Sequence, residues 1–338
     1  MRPLPPEIRE LILALPKTET HLHIEGAVPL AMVQAALPGR FSGEPKFWHP
    51  AYRFESFDAF SDLFAEVAGA VFTSVEAYHA CALEVFAGLK AQNCKYIETS
   101  MALGALVRSR LDGPSVIEAI RSAAPARMEV RVFMGMRHNE YAGLGQEIID
   151  DSLGWQDLAG FDLHGPEYLP LEPWTAKLWQ KSREAGKFNK AHAGEFMPAW
   201  FIKRCVEELG ITRIEHGVRA VEDPEVVQLL ADKQITLDVC PISNVKLAVD
   251  GIPEMAFHPI KQLMSAGVPC TINTDDPFFF GNRLIEEYEA LAQHLGFQKQ
   301  ELLTLARNGF EVALVEPEQR ESWIAEIEEL GAEESDPL

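Results

Sequence analysis

His21 and His23 stand two residues apart in the run TETHLHI. Residues two apart on a strand share a face, so both imidazoles can point at one ion. Alone, such a pair is a weak signal. It gains weight because other metal-type residues end other short β-like runs: His192 in AHAGE, His216 in RIEHG, and Asp275 with Asp276 in INTDDP. A catalytic zinc takes nitrogen and oxygen ligands and keeps one position open for water. His21, His23, His192 and Asp275 make such a set. Two metals would call for a bridging group, commonly a carboxylated lysine at the end of the fourth strand, and that run reads FDLHG without a lysine. One zinc per chain is expected. Among the cysteines, Cys240 ends a strand but stands alone and reads as a small buried hydrophobe.

The other histidines divide by position. His49, His79 and His294 fall in helical or loop segments and read as surface residues. His258, in FHP, falls in a loop before the helix that leads to the last strand. His138 reads as structural, and His164 as either structural or pocket-facing.

The elements that must position these groups are short β-rich runs separated by helical patterns. The runs are Thr18–Ile24, Lys95–Met101, Glu129–Met136, Leu158–Gly165, Phe188–Glu195, Ile211–Gly217, Ile235–Pro241 and Pro269–Pro277. Apolar residues recur at helical spacing between them, as in Trp200–Leu209 and Pro224–Asp232. Strands alternating with helices predict a parallel sheet, and eight such units predict an α/β fold, a (β/α)8 TIM barrel with catalytic groups at the C-terminal strand ends. An open doubly wound sheet is the alternative, but no Gly-rich phosphate loop follows the first strand. The segment from Leu30 to Leu89 holds more helix than one βα unit requires. Its stripe Phe54, Phe57, Phe60 and Phe64 predicts a helix packed on the barrel, with a share of it available as a lid. No repeat or linker divides residues 1–338, which read as one domain.

Composition narrows the partners. The 338 residues carry a formal charge of −21, which repels nucleic acid and anionic lipid and suits a small neutral substrate. Part of that charge is a C-terminal run, EIEELGAEESD, expected as a solvated helix end and tail. Cysteines 81, 94, 205, 240 and 270 form no CxxC pair and fit reduced thiols in a cytoplasmic protein. The N-terminal residues carry charges and prolines where a signal peptide needs an apolar stretch, and no window approaches the roughly 18 apolar residues of a membrane span. The sequence leaves the oligomeric state open.

In order and spacing, LPKTETHLHIEGA, GFDLHGPE, AHAGE, RIEHGVR, CPISN and INTDDP resemble the adenosine deaminase family of the metal-dependent amidohydrolases, over roughly Leu15 to Val315. The resemblance implies that His21, His23, His192 and Asp275 hold zinc and that Glu195 donates a proton to purine N1. It makes His216 the group that orients or deprotonates the attacking water. It makes Asp276 the acceptor for that water and the partner of N7. It also implies substrate contacts at Gly165, through its backbone N–H, at His23, and at Glu25 near the ribose or pocket floor. The chemistry is then hydrolytic deamination: zinc makes hydroxide available near neutral pH, and attack at C6 needs an acid at N1. The unrelated zinc deaminases with an H-x-E…P-C-x-x-C signature are excluded, because the cysteine pair is missing.

The substrate expected is a 6-aminopurine nucleoside, adenosine or a substituted adenosine. Free adenine and an aminodeoxyfutalosine-type compound are the alternatives, since IEG with Glu25 and CPISNVKL lean that way while Thr274 leans back. Glu25 is expected to govern the choice between nucleoside and base, with His164 the next candidate. Two further readings are an amidohydrolase acting on an amide or ester, disfavoured by Glu195 and the missing lysine, and a non-catalytic barrel, disfavoured by the intact proton donor and metal set.

Overall fold

The alternation of β-like and helical runs closes into a ring. The structure, a computed structural model, describes residues 4–332; residues 333–338, the end of the acidic tail, lie outside the described residues. The strands are β1 (Lys17–His23), β2 (Cys94–Ala102), β3 (Glu129–Arg137), β4 (Leu158–His164), β5 (Phe188–Ala193), β6 (Arg213–His216), β7 (Thr236–Val239) and β8 (Cys270–Ile272). They lie in sequence order, each parallel to the next. The chain beyond β8 returns to β1, where Asp275 N donates to His21 O and His23 N donates to Asp275 O, each at 3.1 Å. This is the expected (β/α)8 barrel.

Between β1 and β2 lie the surplus helices, Leu30–Ala36, Phe57–Val71 and Val75–Ala91. Ser56 and Ser74 start the latter two, each hydroxyl accepting from the backbone N–H three residues on. The helix expected over Trp200–Leu209 runs as Ala199–Arg204 and then widens into a π turn at Cys205–Leu209.

Several strands end earlier than the β-rich runs suggest, and those ends make the site. Past β5, β6 and β8 the chain enters left-handed backbone at Gly194, His216, Gly217 and Asp275, with φ between 65° and 76°. For the non-glycine pair, His216 and Asp275, that conformation costs about 1–3 kcal/mol each. The surrounding hydrogen bonds hold them in it, and both side chains turn inward over the strand ends.

The barrel interior is polar rather than aliphatic. Lys190 on β5 reaches across to Glu98 on β2 (3.3 Å), Glu215 on β6 (2.8 Å) and the carbonyl of Thr20 (2.8 Å). Arg213 on β6 forks between Glu98 and Asp238. Above Asp238, the hydroxyls of Thr20 and Thr271 donate to its carboxylate. All of these side chains are buried. The apolar core lies outside the strands, under the helices.

Candidate active site

At the C-terminal end of this polar column, four ligand-type atoms converge. His21 Nε2 stands 3.1 Å from His192 Nε2 and 3.5 Å from Asp275 Oδ1, and His23 Nε2 stands 3.4 Å from the same oxygen. All four groups bring one atom within 4.8 Å of the others. Ligands about 2.1 Å from a tetrahedral ion stand about 3.4 Å apart, so the spacing suits a metal. The proton arrangement argues the same. His21 Nδ1 faces the carbonyl of Asp238 (3.2 Å), and His192 Nδ1 faces Asp162 (3.1 Å) and Glu215 (2.9 Å). Both Nδ1 atoms must donate, so in neutral rings two bare Nε2 lone pairs oppose each other. A cation between them resolves the conflict. Asp275 is further fixed by the Ser243 hydroxyl, 2.7 Å from Oδ2.

Charge in the cluster is pulled strongly apart. Burial opposes a charged His192, but Glu215 and Asp162 outweigh it and raise its pKa well above the usual value. His23 is likewise raised to about 9, with Asp276 and Asp275 outweighing burial. His21 goes the other way, its burial prevailing, and Asp275 is held well below the usual carboxylate range because His21 and His23 outweigh its burial.

Beside the metal-type set lies a cavity of about 60 Å³ lined by His23, His164, Gly165, Glu195, His216 and Asp276, with Arg137 at its edge. Helix Phe57–Val71 roofs it with Phe57, Phe60 and Phe64, so the aromatic stripe both packs and encloses. Phe60 also stacks on Phe280, and Phe64 on Phe279. Burial, reinforced by Asp275 and Glu167, keeps the Glu195 carboxyl protonated well above the usual range. Its Oε1 has no hydrogen-bond partner among the described residues. Asp276 is raised by burial and by the charge of Asp275, and its Oδ1 is also unpartnered. Burial pushes His216 down to about 3, so its ring is neutral. Its Nε2 stands 3.5 Å from Glu195 Oε2. These are groups poised for acid–base work.

Of the residues expected from the sequence, His21, His23, His192, Asp275, Glu195, His216, Asp276 and Gly165 come together here. Glu25 does not. β1 ends at His23, so the strand alternation that would carry Glu25 to the same face stops, and the chain turns. Its carboxylate accepts from Tyr78 OH (2.6 Å) and Ala102 N (2.9 Å), buried beside the pocket as a strut. His164 does face the cavity, stacked on His23 at 5.3 Å. His138 is buried against Phe201, in keeping with a structural role. Cys240 is buried behind His21, its Sγ 3.4 Å from His21 Nδ1. His49 and His294 are exposed and His79 half-buried, whereas His258 proves fully buried.

Sequence reasoning missed the residues that hold the site. Glu167 accepts from the backbone N–H groups of Glu195, Phe196 and Met197, fixing the loop after β5. Its signal was its place in GFDLHGPE. Gly26 is required by close approach, because a Cβ there would overlap the Asp276 carboxylate. Arg137 carried no motif. A larger cleft of about 880 Å³ at the opposite end, lined by residues such as Glu129, Arg131 and Gln319, gathers no comparable set among the described residues.

Residues 16–330 match the family model described as adenosine deaminase. The chain is 34% identical over 333 residues to adenine deaminase of Wolinella succinogenes, covering 95% of this chain and 99% of that one. It superposes on the crystal structure of adenine deaminase from Arthrobacter aurescens with a TM-score of 0.83 and 25% identity, over 93% and 98% of the two chains. An amidohydrolase from Burkholderia ambifaria with bound zinc shares the fold, with a TM-score of 0.82 and 22% identity over 98% and 95%. Matched along nearly its whole length and carrying a buried acid beside a metal-type cluster, the chain belongs to the adenosine deaminase family and is a hydrolytic deaminase.

Proposed function

We propose that the protein converts free adenine to hypoxanthine and ammonia, using one zinc ion per chain held by His21, His23, His192 and Asp275. The observation that carries this reading is the cavity. Its volume of about 60 Å³ suits a small ligand such as a free base better than a nucleoside, and Phe57, Phe60 and Phe64 line it. The names of the relatives support it. The free base therefore replaces the nucleoside expected from the sequence.

A zinc ion in this donor set supplies Lewis acidity and lowers the pKa of water towards about 7. The protein's own groups do the rest. A cation in the donor set would offset the burial that raises the Asp276 carboxyl and favour its charged form, and the Asp276 carboxylate then takes a proton from water as the oxygen bonds to C6. The C6–N1 π electrons move to N1, which takes the Glu195 proton. His216 lies beside the new oxygen, Gly165 offers its N–H to the ring edge, and His23 and His164 wall the base. Asp276 then passes its proton to the amino group, which leaves as ammonia. The C6 hydroxyl returns a proton to Glu195 as the carbonyl forms.

A second reading has one observation in its favour. The Arg137 guanidinium at the cavity edge makes no hydrogen bond or ion pair to described residues, which suits a 6-aminopurine bearing an anionic substituent, such as an aminodeoxyfutalosine-type compound. Ammonia release from zinc-loaded protein with adenine, adenosine and adenosine 5′-monophosphate separates the readings. Adenine is expected to exceed adenosine in kcat/KM by about 10² or more. Preference for either larger compound would sink the free-base reading.

A further inference from the structure

The role of His216, to accept a proton from water or to donate a hydrogen bond, depends on which ring nitrogen carries its hydrogen. A chain of buried groups behind it fixes the answer. We propose that Asn244 and His258 are positioning residues that lock His216 as the Nε2–H tautomer, making it a hydrogen-bond donor in the site and leaving Asp276 to take the proton from water.

The argument starts at a backbone amide, whose polarity cannot reverse. Ile260 N, the first residue of helix Ile260–Ser265, has no intrahelical acceptor and points at His258 Nδ1 (3.3 Å). His258 Nδ1 must therefore accept, and its hydrogen sits on Nε2. That Nε2–H faces the Asn244 side-chain oxygen at 3.2 Å. The amide orientation is then set, and Asn244 Nδ2 donates to His216 Nδ1 at 3.1 Å. With Nδ1 accepting, the neutral His216 ring carries its hydrogen on Nε2. This nitrogen faces acceptors, Glu195 Oε2 at 3.5 Å and Asp275 Oδ2 at 3.8 Å. Turning the Asn244 amide over would place its N–H₂ against the His258 Nε2–H, or force His258 Nδ1–H against the Ile260 N–H. All three side chains are buried, so bulk water does not relieve either clash.

The consequence for the reaction rests on the deaminase reading above; the tautomer itself does not. An Nε2–H donates to the oxygen that bonds to C6 and stabilises the charge that develops there. It has no lone pair for the water proton. That proton goes to the Asp276 carboxylate, while the C6–N1 electron pair goes to N1 and takes the Glu195 proton.

The test is long-range ¹⁵N–¹H correlation on ¹⁵N-histidine-labelled, zinc-loaded protein, with the His216 signals assigned by their loss in His216→Gln. The expected spectrum shows a protonated Nε2 and a bare Nδ1, whatever purine the enzyme prefers. Asn244→Asp, which can only accept, should move the hydrogen to Nδ1 and lower kcat by about 10²–10³ with zinc content and KM little changed. His258→Gln, whose amide N–H₂ can still donate to Asn244, should keep the Nε2–H tautomer and hold kcat within about tenfold of wild type. His258→Leu should give a mixture of tautomers and a lower kcat. A wild-type His216 with its hydrogen on Nδ1 overturns the proposal without reference to any variant. So does an Asn244→Asp protein that keeps both the tautomer and the rate.

Discussion

The two ends of the barrel interior are built from the same residue types and treat them in opposite ways. In the lower part, Lys190 and Arg213 are matched against Glu98, Glu215 and Asp238 across the barrel. Burial opposes charge on Lys190, yet Glu215 and Glu98 outweigh it and hold the ammonium firmly protonated. At the C-terminal end, Glu195 and Asp276 face only histidines, with no lysine or arginine paired to them among the described residues, and each leaves an oxygen unpartnered there. Burial wins there, and both carboxyls move well above the usual range. Charge alone does not separate catalysis from architecture in this molecule. Whether the buried charge is matched does.

The sharpest way to break that division is Glu195→Gln. The amide keeps the size and most contacts but delivers no proton, so kcat should fall by about 10²–10⁴, with zinc content and thermal stability preserved. Turnover assays, metal analysis and calorimetry check it. A rate near wild type removes Glu195 from the acid role, and loss of zinc makes it a ligand.

Lys190→Met is the opposite case. It removes the cation shared by Glu98 and Glu215 and leaves buried carboxylates unmatched, a cost of about 3–5 kcal/mol in unfolding free energy. Glu215 would lose a group that, with His192, holds its pKa down at about 2 against burial and Asp162. Denaturant unfolding reads the loss. If Lys190→Met is no less stable than Glu195→Gln, the matched column is not what holds the barrel interior together.

How much of this was legible in the sequence follows the same line. His21, His23 and His192 could be read because each lies at the end of a strand and short-range alternation aims it. Glu195, His216, Asp275 and Asp276, set by left-handed turns or by the chain past the strand ends, were legible instead through the order of the motifs that carry them. Strand order and the helical surplus before β2 were legible from periodicity. The matched column was not, because Lys190, Glu98 and Arg213 lie 25 to 115 residues from their partners and only barrel closure joins them. Glu25 was misplaced for a related reason. β1 stops at His23, so the period-two alternation that aims His21 and His23 does not extend to Glu25.

Glu25→Asp tests that correction. Tyr78 OH and Ala102 N both donate to Glu25 Oε1, and a side chain one methylene shorter withdraws that oxygen, so at least one buried donor should lose its partner, at about 1–3 kcal/mol. The ratio of adenine to adenosine kcat/KM should not move. A tenfold change in that ratio would return Glu25 to the substrate.

The smallest expected effect lies outside both ends, at His138. Its ring is buried and stacked on Phe201 at 6.0 Å, and neither nitrogen has a partner in hydrogen-bonding geometry among the described residues. Burial pushes its pKa from the usual 6.5 to about 4, only partly offset by the nearby carbonyls of Pro170 and Leu169. Because the folded-state pKa lies below the unfolded one, the neutral ring's contribution is complete above pH 6.5. It is lost as the pH falls towards 4, where the unfolded chain binds a proton that the folded chain refuses. Phenylalanine keeps the ring and removes both the unpartnered nitrogens and the titration. His138→Phe should therefore gain about 1 kcal/mol or less at pH 7.5, with the advantage over wild type widening by roughly 1–2 kcal/mol between pH 7 and pH 5. Urea unfolding at several pH values measures both. An advantage that stays constant with pH would mean that His138 titrates normally in the folded protein, and a loss at pH 7.5 would mean that its nitrogens do find partners, bringing it into the matched class with Lys190.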